Sequence, residues 1–249
     1  MTPLILILIP ARYGSTRFPG KPLALISGKS MIQRVYENCA TAKDPRYQFE
    51  VRAVTDDDRI QHHVEGFGGK VCRVDDQVTT GTERIYLAYQ RYFSDQNVQL
   101  VINLQGDEPL LSGKDLVNLA EFHLGSQFDI GTLGRKMGAG EEFYDNNRVK
   151  IIYTQASGEC HYFSRAPIPH ARDSALSEWF LHIGVYSFRP AALEKMSKAP
   201  VSYYENLEKL EQLRALEMGL RIGATLTKAQ LISVDRPEDI VLVERSLRG

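Results

Sequence analysis

Residues 4–10 read LILILIP, an apolar run with no polar alternation. A continuous run of ordinary strand length predicts a strand buried on both faces, as in a parallel sheet. Shorter apolar runs at 50–54 (EVRAV), 70–74 (KVCRV) and 99–104 (QLVINL) predict further strands. Between them, at about 30–43, 57–67 and 82–93, the spacing changes to that of helices. In the first of these, Met31, Ile32, Val35, Tyr36 and Cys39 recur with a helical period, and Ser30 is a candidate N-cap. Strand and helix alternating in this way predict an α/β fold with a mostly parallel central sheet flanked by helices.

The second half has a different pattern. Residues 125–149 are rich in Gly, Asp and Asn, with a strand expected at 128–134. Strand patterns follow at 149–154, 160–164 and 181–188, and they predict a smaller mixed or antiparallel sheet. One long helix is expected over 203–218, stopped by Gly219, then a strand at 221–226. A last helix is expected from Pro237 to Arg248, with Pro237 just inside its start and Glu238 and Asp239 in its first turn. No repeat, low-complexity tract or linker interrupts the chain. The expectation is one domain over 1–249, elaborated at about 125–200.

Composition narrows the function classes. The chain has 249 residues, 43% hydrophobic and 24% charged, enough for a full core. A net charge of −1 supplies no basic field for nucleic acid or an anionic membrane surface, so neither partner is expected. Cys39, Cys72 and Cys160 are far apart with no CxxC, which argues against a disulfide framework or zinc site and fits a reducing cytoplasm. The first apolar run is too short to span a bilayer. No Lys or Arg precedes it and no A-x-A site follows, so it is expected to be a core strand rather than a leader.

Chemistry concentrates after that strand. Residues 11–22 (ARYGSTRFPGKP) carry Gly14 and Gly20, the hydroxyls Ser15 and Thr16, and the cations Arg12, Arg17 and Lys21. Glycines let backbone N–H groups approach a polyphosphate and the cations neutralise it, so a nucleotide triphosphate site is expected. The segment is not a P-loop, because Pro22 follows Lys21, and it lacks GxGxxG. The plain alternative is a basic loop on a generic α/β protein. VINLQGDEP (101–109) is an apolar strand ending in a turn, and ligands of open α/β sheets bind beyond such strand ends. Asp107 there is a hard oxygen donor suited to Mg²⁺ alongside substrate phosphates; the alternative is a polar turn. Asp235, in SVDRPEDI (233–240), is a candidate second carboxylate, or a cap of the last helix.

Other segments leave their readings open. TTGTERI (79–85) begins a helix, with Gly81 and Thr82 before it and Glu83 and Arg84 opening it; this suits a phosphate or polar ligand edge, or simply a cap. In VTDDDRI (54–60), Asp56 or Asp57 is a candidate cap of a helix from Asp58. Arg165 in YFSRAPIP can grip a carboxylate. His182 in HIGVY is a base, a sugar contact or a core histidine. Glu211 and Gln212 are either ligand contacts or ordinary exposed positions of a long helix.

Taken together, IPARYGSTRFPGKP, TTGTER, NLQGDEP, YFSRAPIP, HIGVYSFR, LEKLEQLRALE and VDRPEDI resemble the 3-deoxy-manno-octulosonate (Kdo) cytidylyltransferase family. They keep their order from residue 9 to 240. The resemblance implies a Rossmann-like nucleotidyltransferase fold and a homodimer. It implies that CTP and Kdo give CMP-Kdo and pyrophosphate with Mg²⁺, for lipopolysaccharide biosynthesis. On this pattern Arg12 and Lys21 hold the triphosphate, and Ala11, Gly81 and Thr82 line the cytosine and ribose side, with Arg84 nearby. Asp107 and Asp235 bind magnesium. Gln105, Arg165, His182, Tyr186, Glu211 and Gln212 surround the sugar acid. Arg12, Lys21, Asp107 and Asp235 form the catalytic set.

Residues 77–80 (QVTT) depart from the family's usual small-residue approach to the base pocket. TDDDRI, VEGFGGKV and VDRPEDI resemble the branch that activates 8-amino-3,8-dideoxy-manno-octulosonate (8-amino-Kdo), so either sugar acid remains a candidate. Rivals are a CMP-sialic acid synthetase, another sugar nucleotidyltransferase, or a catalytically silent nucleotide-binding module. A silent relative is expected to have lost one of Lys21, Asp107 and Asp235, and all three are here.

Overall fold

In the computed structural model, β1 (Leu4–Pro10) is the buried strand that its apolar run predicts: Ile5 through Ile9 are inaccessible to solvent. The structure describes residues 2–14, 18–78, 80–173, 175–229 and 231–248, so Ser15, Thr16, Arg17 and Thr79 of the candidate segments lie outside the described residues. The chain divides into two compact units, 1–117 with 229–249, and 118–228. The elaboration expected at 125–200 falls inside the second.

The first unit continues with a small hairpin, β2 (Leu25–Ile26) and β3 (Lys29–Ser30), then α1 (Met31–Ala40), β4 (Gln48–Thr55), α2 (Asp58–Gly66), β5 (Val71–Arg73), α3 (Gly81–Tyr92) and β6 (Val98–Leu104). β1 pairs in parallel with β4 on one side and β6 on the other, and β5 joins β4 in parallel. Side-chain caps set the helix starts. Ser30 accepts from the Gln33 N–H, Asp57 from Arg59 and Ile60, and Thr80 from Glu83. α1 buries Met31, Ile32, Val35 and Cys39, the stripe its spacing predicts.

α4 (Gly113–Leu124) contains the boundary between the units. The second unit holds β7 (Ile130–Gly138), β8 (Lys150–Tyr153), β9 (Cys160–Ser164), β10 (Glu178–Phe188), α5 (Pro190–Lys198), α6 (Tyr203–Glu208), α7 (Gln212–Glu217) and β11 (Ile222–Leu226). β7 lies antiparallel to β10 and parallel to β11, and β8 and β9 form an antiparallel pair. The sheet is therefore mixed, as expected. The single helix expected over 203–218 is instead two. Lys209 takes a left-handed conformation (φ 54°) that ends α6, and α7 restarts after Glu211. The chain returns to the first unit for α8 (Asp239–Arg248). That helix begins two residues after the expected Pro237, where the Asp239 carboxylate accepts the N–H groups of Asp235 and Arg236 at 2.8 Å each.

Burial of His123 is expected to make the second unit sensitive to acid. His123 is inaccessible; its Nε2 is 3.0 Å from the Phe128 carbonyl and its Nδ1 2.9 Å from the Ser187 hydroxyl. A carbonyl only accepts, so Nε2 carries the proton and Nδ1 accepts from Ser187. Burial above all, opposed by the Phe128 bond, pushes its pKa down to about 4. The unfolded chain, titrating near the ordinary 6.5, therefore binds a proton in this window that the folded chain does not. Stability is whole above pH 6.5 and declines as pH falls towards 4. At pH 5 the loss from His123 alone is about 2 kcal/mol. Thermal unfolding from pH 7 to 5 measures it, and a His123→Gln chain is expected to show a flatter profile; equal slopes count against the assignment.

Candidate active site

Backbone shape delivers Lys21 to the first unit's cleft. Gly20 adopts φ 70°, and its N–H donates to the Tyr13 carbonyl at 3.0 Å. A left-handed residue closes that turn without the steric penalty a Cβ brings. A single 3₁₀ turn, Lys21–Leu23, follows with Pro22 buried. The Lys21 ammonium then donates to Asp107 Oδ2 at 2.8 Å and to the Val234 carbonyl at 2.9 Å, and lies 4.0 Å from Asp235 Oδ1. Asp107 follows the carboxyl end of β6, and the N–H of Val234 donates to the Asp107 carbonyl at 3.0 Å. Three segments distant in sequence thus meet at one ammonium, and both predicted carboxylates are among them.

The cleft has a volume of about 430 Å³ and is lined by Ala11, Arg12, Lys21, Gly81, Asp107 and Asp235, with Arg84 and Gln105 also on its wall. Gly81 is the first residue of α3, so the positive end of that helix dipole opens here. A Cβ on Gly81 would stand 3.4 Å from Pro10 and 3.5 Å from Gln105 Nε2, and one on Gly106 would stand 3.4 Å from the Pro10 carbonyl. These two glycines keep the floor of the cleft low. Ala11 is buried, with its N–H bonded to the Val54 carbonyl at 2.9 Å, and Arg12 is exposed.

Two predicted nucleotide contacts have structural partners. Arg84 is buried, donating to the Val74 carbonyl at 2.9 Å and to Asp56 at 2.8 Å. Its charge is partly spent on bracing the ends of β4 and β5, although it reaches the cleft wall. Thr82 is buried away from that wall, with Asn103 Nδ2 3.4 Å from its hydroxyl. Asp57 rather than Asp56 caps α2.

Asp107 and Asp235 suit a magnesium ion. Both are hard oxygen donors within reach of one ammonium, and their side chains are 22% and 49% exposed, leaving room for water and phosphate oxygens. Among the described residues no group of three or more His, Cys, Asp or Glu gathers as a metal cage. Two carboxylates completed by substrate phosphates match how Mg²⁺ is usually held. Glu108, quoted in the sequence but given no role, is buried beside them. Burial first, then the Asp107 carboxylate, pushes its carboxyl up to about 8.

The remaining substrate candidates, apart from Gln105, lie in the second unit. β10 departs from regular pairing between Ile183 and Tyr186, whose partners Leu133 and Thr132 are adjacent. A regular strand would set residues 182 and 186 about 13 Å apart. The bulge at Gly184 and Val185 folds the chain so that the His182 and Tyr186 rings are 5.3 Å apart. The Thr132 hydroxyl donates to the Val185 carbonyl at 2.8 Å, so its oxygen accepts from His182 Nε2 at 3.2 Å, leaving the lone pair on Nδ1. Burial pushes His182 down to about 3, so it is neutral at pH 7. Burial, aided by the Glu211 carboxylate, raises the Tyr186 phenol well above its ordinary value, so it keeps its proton. Gln212 is buried, and its Nε2 has no hydrogen-bond partner among the described residues. Arg165 is anchored by Nε to the Glu208 carbonyl at 2.8 Å and by a terminal nitrogen to the Asn146 carbonyl at 3.0 Å. Glu208, which the sequence did not single out, also accepts from Ser164 and from the Arg165 N–H. Neutral donors and acceptors of this kind suit hydroxyl groups.

A family profile described as Cytidylyltransferase matches residues 6–222. The chain belongs to the cytidylyltransferase family. It is 44% identical over 247 residues, 98% of each chain, to an 8-amino-3,8-dideoxy-manno-octulosonate cytidylyltransferase of Shewanella halifaxensis. It is 40% identical over 250 residues, 96% of each, to a 3-deoxy-manno-octulosonate cytidylyltransferase of Thermodesulfovibrio yellowstonii. Among solved structures, a CMP:2-keto-3-deoxy-manno-octonic acid synthetase complexed with CTP superposes with a TM-score of 0.89 at 33% identity, covering 98% of both chains. The cytidylyltransferase has the nucleotidyltransferase fold that its motifs implied, a mostly parallel sheet with helices and a smaller antiparallel part.

Proposed function

We propose that this cytidylyltransferase transfers CMP from CTP to a 3-deoxy-octulosonic acid, Kdo or its 8-amino form, releasing pyrophosphate. The observation that carries the reading is the cleft of the first unit, where Lys21 brackets Asp107 and Asp235 beside the start of α3. The relatives act, by name, on both sugar acids, and the family supplies the nucleotide.

Arg12 and Lys21 neutralise the triphosphate, and the low floor at Gly81 and Gly106 lets it approach the backbone. Asp107 and Asp235 would hold Mg²⁺, which would supply charge neutralisation and orientation of the phosphates. The anomeric hydroxyl attacks the α-phosphorus in line, its bond forming as the bond to pyrophosphate breaks. The protein contributes position and charge, and the displacement needs no nucleophilic side chain. In the second unit, neutral His182 and protonated Tyr186 offer an acceptor and a donor to sugar hydroxyls, Gln212 offers amide protons, and Glu211 and Arg165 complete the set.

The reading includes a homodimer, carried over from the family resemblance, which sedimentation at micromolar protein checks. Use of CTP supports a cytoplasmic setting, and no helix among the described residues is long and apolar enough to cross a membrane. The function is tested by pyrophosphate release from CTP and Mg²⁺ with each sugar acid in parallel. Release with one sugar assigns the substrate, and release with both makes the preference a ratio of kcat/KM values. Folded protein that binds CTP yet releases none with either sugar refutes the proposal.

A further inference from the structure

The Lys21 ammonium sits on the carboxylate that, on the reading above, holds a divalent cation. Its Nζ is 2.8 Å from Asp107 Oδ2, with Val234's carbonyl at 2.9 Å and Asp235 at 4.0 Å. This is a built position. The left-handed Gly20, its bond to Tyr13, and the 3₁₀ turn with buried Pro22 aim the side chain, which is 17% exposed. A magnesium ion held by Asp107 would bind the carboxylate directly. An ammonium on the same carboxylate would then face a divalent charge at close range, which is repulsive in a partly buried cleft. One of the two cations must give way. A triphosphate offers the ammonium a denser negative partner than a single carboxylate.

We infer that Lys21 is an internal counter-cation that competes with the divalent ion for Asp107 and Asp235, and that a triphosphate draws it away, so that metal and nucleotide bind together. The inference rests on the reading that these two carboxylates hold the metal. It gives Lys21 a second task, halving the charge of the carboxylate pair and making it less receptive to a metal without nucleotide. By linkage, whatever coupling Lys21 transmits from nucleotide to metal it transmits equally from metal to nucleotide.

The test measures Mn²⁺ binding to the full chain by electron paramagnetic resonance, without nucleotide. Lys21→Met keeps the side chain's length and removes its charge; Lys21→Gln is the second variant should methionine perturb folding. Either neutral variant is expected to bind Mn²⁺ about tenfold more tightly than wild type. Lys21→Arg keeps the cation and is expected to match wild type. Mn²⁺ is also expected to raise the melting temperature of the neutral variants more than that of wild type. Equal or weaker Mn²⁺ affinity in both neutral variants overturns the inference while leaving the metal reading standing. Binding that persists unchanged in Asp107→Ala, or no saturable binding to any of the chains, overturns the inference; the metal reading fails separately if Asp107→Ala binds Mn²⁺ as wild type does in the presence of CTP.

Discussion

Asp107→Ala is expected to reduce turnover with CTP and the sugar acid by at least about a thousandfold, roughly 4 kcal/mol of lost transition-state stabilisation. The carboxylate accepts the Lys21 ammonium at 2.8 Å and, in the proposed reading, also holds the metal. Its loss removes a ligand and lets the Lys21 ammonium lose its 2.8 Å partner. The fold does not depend on it: the segment stays tied through the Asp107 carbonyl, which accepts from Val234. Asp235→Ala is expected to lose nearly all turnover as well, although its carboxylate is more exposed and lies 4.0 Å from the ammonium. Steady-state rates at saturating CTP, with circular dichroism to confirm the fold, give the answer; a wild-type-like rate in either variant removes that residue from the catalytic set.

Arg214→Met is expected to destabilise the second unit by about 3–5 kcal/mol. Arg214 is 5% exposed and Glu205 8%. The guanidinium donates to the two Glu205 oxygens at 2.7 and 2.5 Å, and also to the Met196 and Ala199 carbonyls. Removing the cation strands a buried carboxylate and two carbonyls, a far larger cost than losing a surface pair. Adding Glu205→Leu is expected to recover only part of the loss, because Glu205 also accepts from the Ser202 N–H in the capping box that starts α6. Urea unfolding of wild type, single and double variants separates the terms. A single variant within 1 kcal/mol of wild type contradicts the assignment.

The first unit was legible because its signals are local. An unbroken Leu/Ile run has to be buried, and Ser30 and the apolar spacing after it specify one helix face. Lys21, Asp107 and Asp235 were recognisable as chemical types at strand ends. Their convergence depends on a left-handed glycine and on a return of the chain after residue 228, and neither has a pattern of its own. In the second half the long helix was misread because Lys209, an ordinary helix former, takes the left-handed conformation that ends α6. Burial of Leu210, Gln212, Leu213 and Arg214 at the start of α7 outweighs that preference. α4 and α5 were missed although GKDLVNLAEFHL and PAALEKMSK carry helical spacing, and Pro190 at the first position of α5 is a start signal. The closeness of His182 and Tyr186 has one sequence trace, Gly184 inside a strand pattern. Arg84 has a second role that the sequence did not show: it lines the cleft and is also held by the Val74 carbonyl and Asp56.

The order in which the segments enter the cleft has a consequence for synthesis. Residues 118–228 form a unit of their own, inserted in sequence between two parts of the first. Val234 packs with Ile26, Met31 and Val243 in one core cluster, and its carbonyl holds Lys21. A nascent chain can therefore complete the inserted unit while the first unit still lacks its last piece. Until residues 229–249 have cleared the ribosome, Lys21 and Asp107 have neither Val234 nor Asp235 beside them, so the cleft is assembled last.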